Sequence, residues 1–278
     1  MKHKDPLVVK GIGDDCAVID LDKKRYILFS CDMLIEDVDF RENISPYLIG
    51  RKAMGMVLSD VASKGGLPKY TLVSLGLSKN KTLDFVKKIY QGFMYWVKRF
   101  NFEIVGGDIS RAEKLIIDIS VLGFVEKKNL VLRNGAKVND IIFITGKLGR
   151  KDKHLYFLPR IEEGRYLVNN FRINSMIDIS DGLLQDLSHI LQQSKVGAVL
   201  YKNLIPYDKK INFDEVLNQG EEYELLFTLP PKEARRLLSM KRGVYHGIGQ
   251  IVSSDYGVRL IDENFQERKI KIRGFRHF

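Results

Sequence analysis

Seven aspartates lie beside glycines, after strand-like segments or on an apolar helix. They are Asp14, Asp15, Asp32, Asp60, Asp108, Asp178 and Asp181. Carboxylates at strand ends are the usual way to hold Mg²⁺, a hard cation that takes oxygen ligands and shares them with phosphates. Clustered acids repel one another and raise each other's pKa unless a cation is present. The pattern therefore predicts a polyvalent metal, provided that these side chains meet in space.

Local explanations compete with metal binding at several of these positions. Asp14 and Asp15 adjoin glycines, where a carboxylate can simply stabilise a turn. Asp60 lies among apolar residues on a predicted helix, where a solvated acid is less natural, and this favours a functional role. The polar residues 178–181 precede another predicted helix, so N-capping and the helix dipole explain them without a metal.

Other nucleotide and metal motifs are missing from the sequence. There is no G-x-x-x-x-G-K-[ST] P-loop, and residues 11–13 lead into two aspartates instead of completing a G-x-G-x-x-G. No His-Arg-Asp with a downstream Asp-Phe-Gly indicates a protein kinase. The five histidines show no H-x-x-x-H pairing of the kind that binds zinc. If the protein acts on a nucleotide, it therefore binds that nucleotide through a different fold from these.

Composition and charge exclude several broad classes of protein. The 278 residues are 45% hydrophobic and 29% charged, as in folded proteins, and the apolar stretches are far shorter than the roughly 20 residues of a membrane span. Cys16 and Cys31 are too few for a disulfide framework. The net charge of +10 comes from scattered basic residues, whereas nucleic-acid binders concentrate their charge. We expect a soluble cytoplasmic protein with no nucleic-acid partner and no membrane partner.

Strand-like and helix-like segments alternate along the first half of the chain. Thr82 is the predicted N-cap of a long amphipathic helix, and Ser45 with Pro46 is the predicted start of an earlier helix that ends near residues 65–66. The predicted strands cover residues 26–30 (ending at Asp32), 70–77, 102–105 and 115–125.

The second half begins after a polar, basic stretch near residues 126–138. The predicted strands cover residues 141–145, 197–201 and 223–228, with two more between 244 and 261, and the predicted helices cover 183–192 and 232–240. Residues 150–171 have no clear pattern. We therefore expect two α/β domains, residues 1–126 and 127–278.

Eight short segments, spread along nearly the whole chain, together match the motifs of one protein family. They are residues 11–18, 30–34, 58–66, 106–108, 132–136, 145–149, 177–183 and 220–228. In this order they resemble the thiamine-monophosphate kinase family. The Gly-Glu-Glu-Tyr-Glu-Leu block at residues 220–225 distinguishes that family from the aminoimidazole-ribonucleotide, selenophosphate and hydrogenase-maturation synthetases.

The resemblance implies an α/β (α+β) protein with the two-domain aminoimidazole-ribonucleotide-synthetase-like fold. An N-terminal mixed-sheet domain would bind ATP and Mg²⁺ and form a homodimer, and an α/β domain would follow it. The implied reaction is direct in-line transfer of a phosphoryl group from ATP to thiamine monophosphate, assisted by several Mg²⁺ ions. Because the nucleophile is a phosphate oxygen that is already anionic, no strong general base is needed.

The resemblance also assigns roles to individual residues. The implied metal ligands are Asp15, Ser30, Cys31, Asp32, Asp60, Asp108, Asp178 and Asp181, of which Asp32, Asp60 and Asp108 are the implied catalytic residues. The implied nucleotide contacts are Gly107, Asp108, Arg133 and Ser180. The implied substrate contacts are Asp39, Glu221 and Ile272.

Two of the substrate positions depart from the family pattern. Asp39 stands where a histidine is usual, and Ile272 stands where an aromatic residue is usual. These departures leave two alternatives open. The chain could be a related ATP-dependent enzyme that acts on another small substrate, or a homologue that binds nucleotide without catalysis.

Overall fold

The computed structural model describes residues 5–150 and 153–270, so the predicted substrate contact Ile272 lies outside the described residues. The chain divides into two compact units. The first comprises Met1–Leu130 together with the returning segment His154–Ile161, and the second comprises Val131–Lys153 and Glu162–Phe278. Among the described residues, no helix is both long enough and apolar enough to cross a bilayer.

A six-stranded sheet and two long helices make up most of the first unit. The strand order is β1-β2-β3-β6-β4-β5, and only β4 and β5 are parallel neighbours. The strands are β1 (Val8–Lys10), β2 (Ala17–Asp20), β3 (Arg25–Ile35), β4 (Leu67–Leu77), β5 (Glu103–Arg111) and β6 (Ile116–Glu126), and the helices are α1 (Pro46–Ser63) and α2 (Leu83–Phe100).

Alternating side chains give the first sheet one buried face and one exposed face. In β6, Ile117 and Ile119 are fully buried, whereas Asp118 between them is only half-buried. This is the period-two pattern of a strand covered on one side. Helix α1 packs on the buried face and α2 packs on α1. On the opposite face, Phe29 and Met33 are 47% and 52% exposed.

The two helix starts agree with the prediction to different degrees. The Thr82 hydroxyl accepts the Phe85 N–H at 3.2 Å, as expected of an N-cap. Ser45 precedes α1 and Pro46 occupies its first turn, but the Ser45 side chain makes no capping hydrogen bond. Because proline has no backbone N–H, the first turn of α1 has one unsatisfied hydrogen-bond donor fewer than an ordinary helix start.

A seven-stranded sheet forms the centre of the second unit, in the order β13-β12-β9-β11-β7-β10-β8. Its strands are β7 (Ile141–Thr145), β8 (Ser175–Asp178), β9 (Gly197–Tyr201), β10 (Leu225–Leu229), β11 (Tyr245–Val252), β12 (Val258–Ile261) and β13 (Glu267–Lys269). The short α3 (Lys153–Tyr156) lies mostly in the returning segment of the first unit. Four helices follow it: α4 (Ile161–Asn170), α5 (Leu183–Ser194), α6 (Phe213–Asn218) and α7 (Pro231–Ser239). The predicted α/β class is confirmed, as are the bounds of β7 and β9.

Two predicted strand ends are wrong. The sequence pattern ended one strand at Asp32 and another just before Gly106, yet β3 continues to Ile35 and β5 continues to Arg111. Both strands continue because their neighbours stay paired with them, β6 along all of β3 and β4 along β5. Asp32 and Asp108 therefore lie within strands, not after them.

Gly107 allows β5 to pass very close to β4. A Cβ atom at this position would lie 1.8 Å from the Val73 carbonyl oxygen, and the φ of Gly107 is +155°. Only glycine fits this approach. The strand therefore continues through the glycine pair to Asp108, which is exposed and in register with Ser74.

Candidate active site

The loop that precedes β2 is attached to the end of α1 by a buried ion pair. The Lys64 ammonium lies 2.7 Å from Asp15 Oδ2 and also donates to Asp14 Oδ1. The side chains of Lys64 and Asp14 are fully buried, and that of Asp15 is 1% exposed. The loop is therefore fixed by charge as well as by packing.

Two serines connect Asp15 with Asp60, which lies in the last turn of α1. The Ser63 hydroxyl lies 2.5 Å from Asp15 Oδ2 and 2.7 Å from the Asp60 carbonyl oxygen. The Ser30 hydroxyl makes a short hydrogen bond to Asp60 Oδ2 and lies 3.0 Å from the Asp15 carbonyl oxygen. Four residues identified in the sequence thus form one network with Ser63 and Lys64 inside the first unit: Asp14, Asp15, Ser30 and Asp60.

The geometry of this network fits a divalent cation. Carboxylate oxygens of Asp15 and Asp60 lie within 4.8 Å of each other. Oxygens that share one Mg²⁺ lie about 2.1 Å from the ion, and therefore at most about 4.2 Å apart. Small side-chain adjustments would let both carboxylates bind the same ion.

Local charges act strongly on the titratable groups of the network. Burial lowers the pKa of Lys64, but Asp15 and Asp14 outweigh this effect and hold that pKa well above its usual value. Burial, followed by the nearby Asp60 carboxylate, raises the pKa of the Cys16 thiol well above its usual value. Cys16 therefore stays a neutral thiol, unsuited to act as a nucleophile.

The side chains on β3 alternate between the two faces of the sheet. Ser30 and Asp32 are half-buried on the face covered by α1, whereas Cys31 is exposed on the other face. Burial, followed by Asp118 and Asp32, raises the pKa of the Cys31 thiol. A neutral thiol is a poor Mg²⁺ ligand, so a role for Cys31 as a ligand would involve its main-chain oxygen.

Asp32, Asp60 and Asp108 are the three residues predicted to share metal ions. Within residues 5–150 and 153–270, these three carboxylates do not form a group whose ligand atoms all lie within 4.8 Å of one another. Their common role in binding metal therefore stays a prediction. Metals that are also bound to phosphate oxygens would allow a wider spacing than a single shared ion.

Asp39 has a local partner at the end of β3. Its Oδ2 accepts the Ile35 N–H at 2.7 Å, and its carbonyl oxygen accepts a hydrogen bond from the Lys52 ammonium at 2.7 Å. The carboxylate thus closes the turn after β3. This position tolerates aspartate for a structural reason, independently of any contact with substrate.

In the second unit, residues 178–181 are held against residues 220–224. Asp178 is the buried last residue of β8. The Glu221 N–H donates to the Ser180 carbonyl at 2.7 Å, and the Tyr223 N–H donates to the Ile179 carbonyl at 2.8 Å. The strand predicted at residues 223–228 begins only at Leu225, because Glu221 and Tyr223 have positive φ values of 62° and 50°.

The capping explanation for residues 178–181 is wrong. The N-cap of α5 is Gly182, and the acceptor for this turn is Asp186 Oδ2, which lies 3.0 Å from the Asp181 N and 3.1 Å from the Gly182 N. Asp186 and His189 also approach Asp181, with one ligand atom of each within 4.8 Å of the others. Neither residue is among those predicted from the sequence, although their i, i+3 spacing on a predicted helix places them on one face.

Two buried acids next to Glu221 have structural partners. Glu222 Oε1 accepts the Gly149 N–H at 2.6 Å, and Glu224 Oε2 accepts the Thr145 hydroxyl at 2.5 Å. These two hydrogen bonds hold residues 220–225 against residues 145–149. Arg133 is half-buried on the stretch that precedes β7.

Comparisons with known proteins identify the family. Residues 13–125 match the model described as "AIR synthase related protein, N-terminal domain", and residues 120–261 match the corresponding C-terminal domain. A protein of Buchnera aphidicola (subspecies Schizaphis graminum) named thiamine-monophosphate kinase is 36% identical over 100% of this chain and 95% of its own length. The chain belongs to the thiamine-monophosphate kinase family.

Other members of the family give the same result. A thiamine-monophosphate kinase of Rhodopirellula baltica is 34% identical over 86% of this chain and 82% of its own length. A solved structure described as AaThiL complexed with AMPPCP and TMP superposes with a TM-score of 0.85 at 28% identity, covering 97% of this chain and 92% of that one. The family resemblance inferred from the eight segments is therefore confirmed, and so is its two-domain fold.

Proposed function

We propose that the protein transfers the γ-phosphoryl group of ATP to thiamine monophosphate, giving ADP and thiamine diphosphate. The observation that carries this proposal is the paired carboxylates of Asp15 and Asp60, held by Ser30 and Ser63 at the spacing of a divalent-cation site. The similarity to a structure described with AMPPCP and TMP supports the choice of donor and acceptor.

The chemistry needs little more than placement and charge compensation. An oxygen of the acceptor phosphate would attack the γ-phosphorus in line while the bond to the β-phosphate oxygen breaks, without a phosphoenzyme. Mg²⁺, when bound, would neutralise phosphate charge. The side chains around Asp15 and Asp60 fit this scheme. Their carboxylate and hydroxyl oxygens can bind a metal, and the adjacent Cys16 thiol is neutral, so the site holds no thiolate that could act as a base.

We propose the following roles for the residues. Metal binding involves Asp15, Ser30, Cys31, Asp32, Asp60, Asp108, Asp178 and Asp181, and catalysis depends on Asp32, Asp60 and Asp108. Nucleotide binding involves Gly107, Asp108, Arg133 and Ser180. Substrate binding involves Asp39, Glu221 and Ile272.

We also propose that the protein is a cytoplasmic homodimer, formed through the exposed face of the first sheet. Phe29, Met33 and Leu72 on that face are 47%, 52% and 49% exposed. Large apolar side chains grouped on one face of a sheet are typical of a buried interface. A second copy of the chain would cover them by pairing the same face with itself.

ADP release by the purified full chain tests the function. We expect release in Mg²⁺ that depends on thiamine monophosphate and stops in EDTA. Release that needs a different phosphate monoester would favour the related enzyme with another substrate. Nucleotide binding without any release would favour the non-catalytic homologue.

A further inference from the structure

We infer that Lys64 is a built-in counter-ion for the acidic group Asp14, Asp15 and Asp60, and that it stabilises this group when no divalent ion is bound. Lys64 is thus a positioning residue for Asp15. The inference rests on the proposed binding of Mg²⁺ at Asp15 and Asp60, and it concerns the metal-free form of the chain.

The position of Lys64 makes it suited to this task. The residue follows the last turn of α1, and its side chain is 0% exposed. Its ammonium contacts Asp14 and lies 2.7 Å from Asp15 Oδ2. Asp14 has a second cation at a longer distance, since Lys10 Nζ lies 3.9 Å from its Oδ2. Lys64 therefore lies in direct contact with two of the three acids.

Burial makes the charge balance of this group important. An ionised carboxylate without a partner is expensive to bury, and clustered carboxylates raise one another's energy. Ser63 and Ser30 supply hydrogen bonds to Asp15 and Asp60, but a hydroxyl carries no net charge. An ammonium supplies a full positive charge within contact distance, so it offsets part of the repulsion that a metal would otherwise remove.

A fixed cation and a bound metal are therefore partly interchangeable in their effect on stability. Removing the Lys64 ammonium would leave the acids undercompensated in the metal-free chain. The same change would strengthen the attraction of the acids for Mg²⁺, because a nearby positive charge is gone. Stability should then depend on Mg²⁺ more strongly than it does in the unchanged protein.

Lys52 provides a matched control on the same helix. Its side chain is also buried, at 0% exposure, but its ammonium donates to a main-chain oxygen, that of Asp39, at 2.7 Å. Lys52→Met removes a buried lysine as Lys64→Met does, and the hydrogen bond to Asp39 that it breaks ends on a main-chain oxygen and not on a carboxylate. Any cost of losing a buried lysine in general appears in both variants.

The experiment is thermal unfolding of the full chain in EDTA and in Mg²⁺. We expect Mg²⁺ to raise the Tm of Lys64→Met by at least about 3 °C more than it raises that of the wild type. The Tm of Lys52→Met should fall by the same amount in both conditions. An equal Mg²⁺ increment in Lys64→Met and the wild type would overturn the inference.

A double variant decides the matter if Lys64→Met does not fold. Asp14→Asn together with Lys64→Met removes one charge of each sign, so it should fold in EDTA with a Mg²⁺ increment near that of the wild type. A double variant that remains unfolded, or as dependent on Mg²⁺ as the single variant, would overturn the inference. ADP release by the wild type is measured in parallel. If the wild type releases ADP but the variants do not show the expected Mg²⁺ dependence of Tm, only the role of Lys64 is rejected. If the variants show that dependence but the wild type releases no ADP, only the proposed reaction is rejected.

Discussion

At the residue scale, Asp60 contacts both serines of the first unit's network. It receives the Ser30 hydroxyl through its side chain and the Ser63 hydroxyl through its carbonyl oxygen. Its carboxylate also lies within 4.8 Å of that of Asp15. A change of charge at this one residue therefore affects the proposed metal site with little change in packing.

Asp60→Asn should lower kcat by roughly 10²-fold or more, because it removes a metal-binding charge at nearly constant shape. The Tm in EDTA should not fall, since the amide oxygen can still accept the Ser30 hydrogen bond and one repelling charge of the acidic group is gone. Steady-state kinetics and thermal unfolding measure both quantities. Asp22→Asn, at an exposed ion pair with Arg25, is the control. A kcat within twofold of the wild type would rule out this role for Asp60.

Asp39 supports a prediction about affinity for the substrate. Asp39→Asn keeps an oxygen that can accept the Ile35 N–H but removes a negative charge proposed to lie near the substrate phosphate. A charge–charge repulsion of about 1 kcal/mol in well-solvated surroundings corresponds to about fivefold in affinity. We therefore expect the Kd for thiamine monophosphate to fall by about that factor, as measured by calorimetry.

The matched control is Asp37→Asn, two residues away, where the exposed carboxylate pairs with Lys114. Equal affinities for thiamine monophosphate in the wild type and in Asp39→Asn would argue against a substrate contact at Asp39.

At the element scale, Glu36 connects the end of β3 to two other parts of the first unit. It accepts the Leu115 N–H at 2.8 Å and lies 2.6 Å from the Lys81 ammonium. Burial alone would raise the pKa of Glu36, but the Leu115 hydrogen bond and Lys81 outweigh this effect and lower it below its usual 4.5. The contact therefore stabilises the fold when Glu36 is ionised.

Glu36→Gln should lower the free energy of unfolding by about 2 kcal/mol at pH 7. A group whose pKa is lowered by folding contributes stability above its unfolded-state pKa, and this contribution is lost as pH falls through the folded-state value. The difference between variant and wild type should thus shrink below pH 4.5. Urea unfolding at several pH values measures it. A difference that stays constant with pH would contradict the ion-pair explanation.

The elements also indicate which features the sequence could predict. The apolar runs of β7 and β9 were sufficient to place these strands, since each consists of consecutive or near-consecutive buried residues. The extension of β3 past Asp32 and of β5 past Gly107 depends on pairing with neighbouring strands, which a local pattern does not contain. The contact between Glu222 and Gly149 joins residues 73 positions apart, so only the fold reveals it.

At the scale of the whole molecule, the exposed sheet face predicts the state of association. Met33→Lys with Leu72→Lys would place two charges on the face proposed to be buried in a homodimer, where they would be desolvated. We expect this variant to sediment as a monomer while the wild type sediments as a dimer.

The control for this prediction is Leu83→Lys, at the start of α2, where the side chain is 71% exposed and lies off the sheet. It should remain a dimer. A wild-type protein that sediments as a monomer at micromolar concentration would contradict the proposed interface.

The most direct test of the proposed reaction is to measure both products in one reaction of the purified chain with ATP, thiamine monophosphate and Mg²⁺. Chromatography separates thiamine diphosphate from its precursor and ADP from ATP. Direct transfer predicts one thiamine diphosphate for each ADP, with both products lost in EDTA and strongly reduced in Asp60→Asn. Formation of ADP with no matching thiamine diphosphate would contradict the proposed reaction.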